Sequence, residues 1–316
     1  MADDSLASTS LPDLAGKRAL VTGAGGQVGS FLGRLLAEAG ADVYGLGARA
    51  GSNVDEVVDI RDPAAVERAV AEARPDAIIH AAAYTDVDGC ERDPARAMAV
   101  NADGSGNVAA AAATAGARLI AISTDFVFAG DGGAPYDESD KPRPVSVYGS
   151  SKLAGEQAVL DVDPAFAVVR TAWVWGGAGK HFPRTVLSVL QSHGAMEVVE
   201  DEAGNPTHAG DLALGIIRLL VEDARGIYHL AGKGRTTRFE LARAVAAAGG
   251  MNPATVTPTT TEAFLAKYPL PARRPADSTL ANVRAAELGI ELPTWREAVE
   301  RAVPALAREL RAAPSA

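Results

Sequence analysis

The sequence contains a single cysteine, Cys90, among its 316 residues. One thiol excludes an intrachain disulfide framework and a zinc site built from several cysteines. The spacing of His181, His193, His208 and His229 is not that of metal ligands, and no group of carboxylates points to a metal either. We therefore predict no metal site, and this cysteine usage fits a cytoplasmic protein.

Positive charge and long apolar runs are also scarce. The chain carries 30 Lys and Arg against 40 Asp and Glu, a net charge of −10, which disfavours a nucleic-acid-binding protein but still allows a small anionic ligand held by backbone dipoles. No segment approaches the roughly 20 apolar residues of a membrane span. The N-terminal residues lack the apolar core of a signal peptide, and we predict a flexible leader over residues 1–16.

The sequence does contain a regular alternation of apolar strands and amphipathic helices. This alternation indicates parallel βαβ units and an α/β fold with a doubly wound parallel sheet of the Rossmann type. Ligands of such sheets bind beyond the carboxyl ends of the strands. Strands are predicted at 18–23, 42–46, 76–83, 118–124, 166–176 and 226–232, and helices at 27–41, 62–75, 94–116, 147–160, 210–226, 237–250 and 294–310.

A glycine-rich turn, TGAGGQVG (22–29), joins the first strand to the first helix. Gly23, Gly26 and Gly29 would allow a tight turn, close approach of a pyrophosphate and packing of the helix on the sheet. The phosphates would lie at the helix N-terminus. We therefore predict a dinucleotide-binding domain over residues 17–172 plus about 211–249, and a smaller C-terminal substrate-binding lobe over about 173–210 and 250–316.

The end of the second strand indicates which nicotinamide cofactor is used. Gly47 stands where sites that prefer NADH place an acidic residue, and Arg49 follows. An arginine can bind a 2′-phosphate through two hydrogen bonds, so we predict NADPH, with NADH and a merely solvated Arg49 as the alternatives. Asp59 would either reach the adenine edge of the cofactor or be a loop or N-cap aspartate.

The segment YGSSK places Tyr148 and Lys152 four residues apart, on one face of a predicted helix. A tyrosine has a pKa near 10, and a nearby ammonium group would lower it. The same lysine can hydrogen-bond the nicotinamide ribose. Thr124 ends the fourth strand and can orient the tyrosine. We predict that Thr124, Tyr148 and Lys152 are the catalytic residues, the alternative being an ordinary surface pair on a helix.

With these motifs in place, the chain resembles the extended short-chain dehydrogenase/reductases, and within them the dTDP-4-dehydrorhamnose reductase family. The resemblance extends from about residue 18 to 310, and the later motifs are the specific ones. The motifs are GAGGQVG, HAAAYTDVDGCE (80–91), VNADGSGNVA (100–109), STDFVF (123–128), VYGSSKLAGE (147–156), RTAWVWGG (170–177), DEAGNPTHAGDLA (201–213), GIYHLAGKG (226–234) and RRPADSTL (273–280).

The motifs and the resemblance together imply two sets of contact residues. The cofactor would contact Gly23, Gly26, Gln27, Val28, Gly29, Arg49, Asp59, Ile60, Ala82, Ala83, Tyr84, Tyr148 and Lys152. The substrate would contact Thr85, Val87, Thr124, Asp125, Phe126, Tyr148, Trp173 and Arg274. For Trp173 the alternative is burial in the core, and for Arg274 it is an ion pair or solvation. Asn101 would hold a helix irregularity and a water, or lie on a polar helix face.

Three positions depart from the family pattern. Phe126 replaces a tyrosine, Glu202 a glutamine and Asp277 an asparagine. Related dehydratases carry an acid at the place of Phe126, and a phenyl ring cannot do acid–base work, so dehydration is disfavoured.

The resemblance implies NADPH-dependent reduction of the C4 ketone of a dTDP-4-keto-6-deoxyhexose, most simply dTDP-4-dehydro-L-rhamnose to dTDP-L-rhamnose. The alternatives are a 4-ketoreductase for another dTDP-deoxysugar and a non-catalytic NADP-binding regulatory subunit. The expected partners are the dTDP-sugar and, as an open alternative, a second copy of the chain in a homodimer.

Overall fold

The computed structural model describes residues 11–132, 134–177 and 179–312. Residues 1–10 of the predicted leader lie outside the described residues. Residues 11–16 differ from a flexible leader, because Leu11 and Leu14 pack against the main core. The backbone N–H of Leu14 also donates a 2.7 Å hydrogen bond to the carbonyl oxygen of Ala39. Part of the predicted leader therefore packs against the core.

Strands and helices alternate through the first half of the chain. The strands are β1 (Arg18–Thr22), β2 (Asp42–Gly47), β3 (Glu56–Val57), β4 (Ala77–His80), β5 (Arg118–Thr124) and β6 (Ala167–Thr171). The helices are α1 (Gln27–Glu38), α2 (Pro63–Ala73), α3 (Val87–Arg92), α4 (Pro94–Met98), α5 (Gly104–Ala115) and α6 (Val147–Val162). A 3₁₀ turn over Asp125–Val127 follows β5.

Short strands and further helices make up the second half. The strands are β7 (Val174–Trp175), β8 (Met196–Val199), β9 (Ala203–Gly204), β10 (Thr207–His208), β11 (Gly226–His229), β12 (Thr236–Thr237) and β13 (Val256–Thr259). The helices are α7 (Phe182–His193), α8 (Ala209–Val221), α9 (Arg238–Ala248), α10 (Thr261–Lys267), α11 (Val283–Glu287) and α12 (Trp295–Ala312), with a 3₁₀ turn at Pro253–Thr255.

A seven-stranded sheet lies at the centre of the described residues, in the order β11-β6-β5-β4-β1-β2-β3. Its strand pairings are parallel. The central strands are nearly continuous apolar runs because helices cover both faces of the sheet. One face packs against α1, α8 and α11, and the other against α2, α5 and α6. The predicted α/β fold with a doubly wound parallel sheet is confirmed.

Two predicted elements are interrupted. The helix predicted at 94–116 contains a π-helical turn over Ala99–Asp103, which includes Asn101. The strand predicted at 166–176 stops at Thr171 and resumes at Val174, because Trp173 between them has a left-handed φ of 44°. Both irregularities lie near functional motifs, as π-helical turns and left-handed non-glycine residues commonly do.

A second core holds the smaller lobe together. Apolar side chains of α7, α9 and α12 pack with Trp175 and with strands β8 and β13. The sequence-based boundary placed residues 237–249 with the dinucleotide domain, but Leu241 and Val245 of α9 are buried in this second core instead. The helix therefore packs as part of the smaller lobe. Across the described ranges, no helix is long and apolar enough to cross a membrane.

Candidate active site

The three predicted catalytic residues meet at the carboxyl end of β5. Thr124 is the last residue of that strand, and Tyr148 lies in the first turn of α6. A β-carbon built on Gly149 would lie 2.2 Å from the carbonyl oxygen of Phe126, so the glycine lets α6 rest directly on the turn after β5. The rings of Phe126 and Tyr148 meet edge to face at 5.5 Å. This packing places Tyr148 beside Thr124.

Tyr148 lies next to Thr124, whose hydroxyl donates a 3.0 Å hydrogen bond to Asp125. Burial raises the pKa of Tyr148 above its ordinary value, the neighbouring Thr124 hydroxyl lowers it, and the negative charge of Asp125 raises it further. The sequence predicted a pKa lowered by Lys152. That prediction was wrong for this structure, because burial dominates and the ammonium group is engaged elsewhere.

The Lys152 amine donates a 2.8 Å hydrogen bond to the carbonyl oxygen of Ile122 in β5. Burial lowers the pKa of Lys152 to about 8, against the opposing effect of Glu156 one helical turn further on. Glu156 itself accepts three hydrogen bonds from Arg170, at 2.9, 3.2 and 2.7 Å, in a buried pair. This pair fixes the helix that carries Tyr148 and Lys152 against the sheet.

The glycine-rich turn fits the phosphates of a dinucleotide. Gly23 has a left-handed φ of 67°, and a β-carbon there would lie 2.8 Å from the backbone nitrogen of Ala82. A β-carbon on Gly29 would lie 2.1 Å from the carbonyl oxygen of Gly23. The first turn of α1 has no side-chain cap, so the N–H groups of Gln27, Val28 and Gly29 can bind a phosphate.

The end of β2 fits a cofactor with a 2′-phosphate. A β-carbon on Gly47 would lie 2.8 Å from a methyl group of Val54, so an acidic side chain has no room there. Arg49 is exposed just beyond the strand. The Asp59 carboxylate pairs with Arg61, with its closest contact at 2.5 Å, and this pairing lowers the pKa of Asp59. Asp59 lies in the loop after β3, and its contact with the cofactor stays a prediction.

The loop after β4 carries the other predicted cofactor residues, Ala82, Ala83 and Tyr84. The N–H of Ala82 donates to the Thr22 hydroxyl at 3.2 Å, which joins the ends of β4 and β1. Asn101 in the π-helical turn fixes Tyr84 and also donates to the Ser151 hydroxyl at 3.0 Å. The predicted helix irregularity at Asn101 is therefore present. Ile60 is buried against Gly104.

The predicted substrate residues come from both lobes. Asp125 is buried, accepts hydrogen bonds from the hydroxyls of Thr124, at 3.0 Å, and Ser278, and has a pKa raised to about 6 by burial. Trp173 is half-buried between two cores. Arg274 pairs with Asp88 at 2.7 Å, which is the ion-pair alternative. Thr85 is exposed and Val87 begins α3.

Sequence reasoning missed Arg238. Its guanidinium lies 3.6 Å from the centre of the Trp173 ring and 3.7 Å from Glu202. Asp277 pairs with Arg235 at 2.6 Å. Both carboxylates that depart from the family pattern therefore have an arginine partner. The signal in the sequence was two acidic replacements in one lobe, which call for counter-ions. Among the described residues, no three His, Cys, Asp or Glu side chains converge as metal ligands.

The doubly wound sheet and the Thr124–Tyr148–Lys152 site together define the class of extended short-chain dehydrogenase/reductases. Residues 17–308 match the family model described as the RmlD substrate binding domain. A dTDP-4-dehydrorhamnose reductase of Mycobacterium tuberculosis is 44% identical over 296 residues, covering 92% of this chain and 93% of that protein.

Two other similar proteins are informative. A probable dTDP-4,6-dihydroxy-2-methyloxan-3-one 4-ketoreductase of Streptomyces antibioticus is 40% identical and covers 91% of this chain and 95% of its own length. The crystal structure of a dTDP-4-dehydrorhamnose reductase from Bacillus anthracis in complex with NADP superposes with a TM-score of 0.84 at 35% identity, covering 90% of this chain and 98% of that one. The chain belongs to the RmlD substrate-binding-domain family, and the resemblance found in the sequence is confirmed.

Proposed function

We propose that the protein is an NADPH-dependent sugar-nucleotide 4-ketoreductase that reduces a dTDP-4-keto-6-deoxyhexose, most specifically dTDP-4-dehydro-L-rhamnose to dTDP-L-rhamnose. The observation that supports this most is the convergence of Thr124 and Tyr148 at the carboxyl end of β5, in a chain whose relatives are named for this reaction. The uncapped glycine turn, the crowding at Gly47 and the exposed Arg49 fit NADPH.

NADPH, when bound, supplies the hydride for the C4 carbon. Tyr148 donates its phenolic proton to the ketone oxygen as that oxygen becomes an alkoxide, and its raised pKa keeps the hydroxyl protonated at neutral pH. Thr124 orients that hydroxyl. Lys152, with a pKa of about 8, is mostly charged at neutral pH. Its amine would donate a hydrogen bond to the ribose of the nicotinamide.

A second candidate is the 4-ketoreductase of another dTDP-deoxysugar. The relative from Streptomyces antibioticus carries a name of that kind, and Phe126 lines the site next to Tyr148 without a hydroxyl. The acidic replacements Glu202 and Asp277 give this candidate little support, because each has an arginine partner, Arg238 and Arg235.

Product analysis tests the proposal. The protein is incubated with dTDP-4-dehydro-L-rhamnose and NADPH deuterated at the transferred position, and the products are identified by NMR. The proposal expects dTDP-L-rhamnose with deuterium at C4. Turnover of a different dTDP-ketosugar only would favour the second candidate. NADPH binding with no turnover of any ketosugar would favour the regulatory subunit.

A further inference from the structure

Arg238 lies in the smaller lobe beside Trp173 and Glu202. It is the first residue of α9, and its backbone N–H donates to the carbonyl oxygen of Glu202 at 3.1 Å. Its guanidinium is stacked on Trp173, with 22% of the side chain exposed. Stacking of this kind occupies the flat face of the group and leaves its N–H edge free for an anion. The side chain is thus held in place with its donors available.

The charge of Arg238 reaches the reacting end of the site. It lowers the pKa of Asp125, which is adjacent to Thr124 and accepts its hydroxyl hydrogen bond. The Asp125 carboxylate also binds Ser278, which follows Arg274 in the RRPADS segment. Because Arg238 is also stacked on Trp173, a predicted substrate contact, it lies on the substrate side of the site.

Two arginines converge at this place although they repel each other. The backbone N–H of Ala203, next to Glu202, donates to the carbonyl oxygen of Ala276, two residues after Arg274, at 2.7 Å. Burial and the charge of Arg274 lower the pKa of Arg238. Two cations held together in a partly desolvated place need anions to offset their repulsion, and a diphosphate offers several oxygens to both.

Arg274 and Arg238 differ in how closely a carboxylate approaches their guanidinium groups. Arg274 has a close partner, Asp88, at 2.7 Å. The contact between Arg238 and Glu202 is 3.7 Å, longer than a charge-assisted hydrogen bond of about 2.7–2.9 Å. A purely structural ion pair would be expected to close to the shorter distance, as that between Arg235 and Asp277 does at 2.6 Å. Arg238 is thus the less fully satisfied cation of the pair.

We propose that Arg238 binds the diphosphate of the sugar-nucleotide substrate together with Arg274, and that Glu202 is its counter-ion in the free protein. This inference rests on the proposed function, because it supplies the anion that a dTDP-sugar carries. The stack on Trp173 holds the Arg238 guanidinium in position for the phosphate oxygens. Glu202 competes with those oxygens for the same N–H groups.

Calorimetric titration with dTDP and with thymidine tests the inference, because it measures nucleotide binding without turnover. Arg238→Gln should weaken dTDP binding at least about tenfold, the loss of one strong contact between a guanidinium and a phosphate. The affinity of Arg238→Gln for thymidine, which has no phosphate, should stay within about twofold of the wild-type affinity. Glu202→Gln should bind dTDP a few times more tightly, because the competing carboxylate is gone.

Arg243→Gln is the matched control. Arg243 lies on the same helix, is exposed, and faces Phe239 at 5.6 Å; its replacement should leave dTDP binding unchanged. NADPH affinity and a thermal melt establish that each variant is folded. If Arg238→Gln does not fold, Arg238→Lys keeps the charge but loses the two-pronged donor edge, and it should bind dTDP more weakly than the control.

Unchanged dTDP affinity in the folded Arg238 variant would overturn the inference, even if the wild type reduces a dTDP-ketosugar. An equal loss of thymidine and dTDP binding would also overturn it, because Arg238 would then support the nucleoside through Trp173. A loss of dTDP binding confined to the Arg238 variants would support the inference. If the wild type then reduced no ketosugar, only the proposed reaction would fail.

Discussion

The side-chain amide of Asn101 binds both backbone polar groups of Tyr84. Its oxygen accepts the Tyr84 N–H at 2.8 Å, and its nitrogen donates to the Tyr84 carbonyl at 3.1 Å. The same nitrogen donates to Ser151 on α6 at 3.0 Å. One buried amide thus ties the loop of the proposed cofactor site to the helix that carries Tyr148 and Lys152.

Asn101→Ala should therefore destabilise the fold and lower kcat together. Removing the amide takes away three hydrogen bonds to Tyr84 and Ser151, at a cost of about 3 kcal/mol in the free energy of unfolding. Chemical denaturation and steady-state kinetics measure the two effects. Asn107→Ala on the neighbouring helix removes a single 2.9 Å bond to the Ile60 carbonyl and should cost only about 1 kcal/mol. Equal effects of the two variants would contradict this role of Asn101.

Asp125 should make the wild type lose stability as pH rises from 4 to 7. Its pKa is about 6 in the folded protein against 3.8 in the unfolded chain, so the folded state binds more protons in that window and ionisation costs stability. Asp125→Asn removes this penalty. The stability of the variant relative to the wild type should rise by about 2 to 3 kcal/mol between pH 4 and pH 7, as measured by urea unfolding.

A control of opposite sign is available for the pH experiment. Asp131 is exposed and pairs with Arg143, which lowers the pKa of its carboxyl. Asp131→Asn should therefore lose stability relative to the wild type as pH rises, if it changes at all. A stability difference for Asp125→Asn that is the same at pH 4 and pH 7 would contradict the raised pKa.

Cofactor preference should depend on Arg49. Arg49→Gln removes the one cation that the end of β2 offers to a 2′-phosphate in the proposed site. The KM for NADPH should rise about tenfold, because a charge-assisted contact is lost. The KM for NADH, which lacks that phosphate, should stay unchanged and serves as the internal control. An equal rise for both cofactors would mean that Arg49 supports the loop and does not select the cofactor.

The sequence predicted the sheet well because each buried strand and each amphipathic helix carries its own local signal. The strands at Arg18–Thr22 and Arg118–Thr124 agree with the prediction to within a residue. The break at Trp173 was missed because a left-handed tryptophan is set by tertiary packing against Gly204, where a β-carbon would lie 2.7 Å from the indole ring. No local sequence pattern encodes that contact.

The convergence of Thr124, Tyr148 and Lys152 was also predictable, since they stand at fixed places in a strand–loop–helix unit. Arg238 was not, because its importance comes from Trp173 and Glu202, which lie on other elements. The expected effect of Lys152 on the pKa of Tyr148 was wrong for a similar reason. Four-residue spacing gives proximity along a helix, but the depth of burial and the bond to Ile122 are tertiary properties.

The measurement that tests the central claim most directly compares Tyr148→Phe with the wild type in NADPH oxidation at 340 nm with dTDP-4-dehydro-L-rhamnose. The change removes one hydroxyl and keeps the ring that packs on Phe126. If Tyr148 is the proton donor, kcat falls by roughly a hundredfold to ten-thousandfold, while NADPH still binds with its wild-type affinity. A variant that binds NADPH and keeps more than about a tenth of the wild-type rate would contradict the account, because the loss of a general acid should lower the rate far more than tenfold.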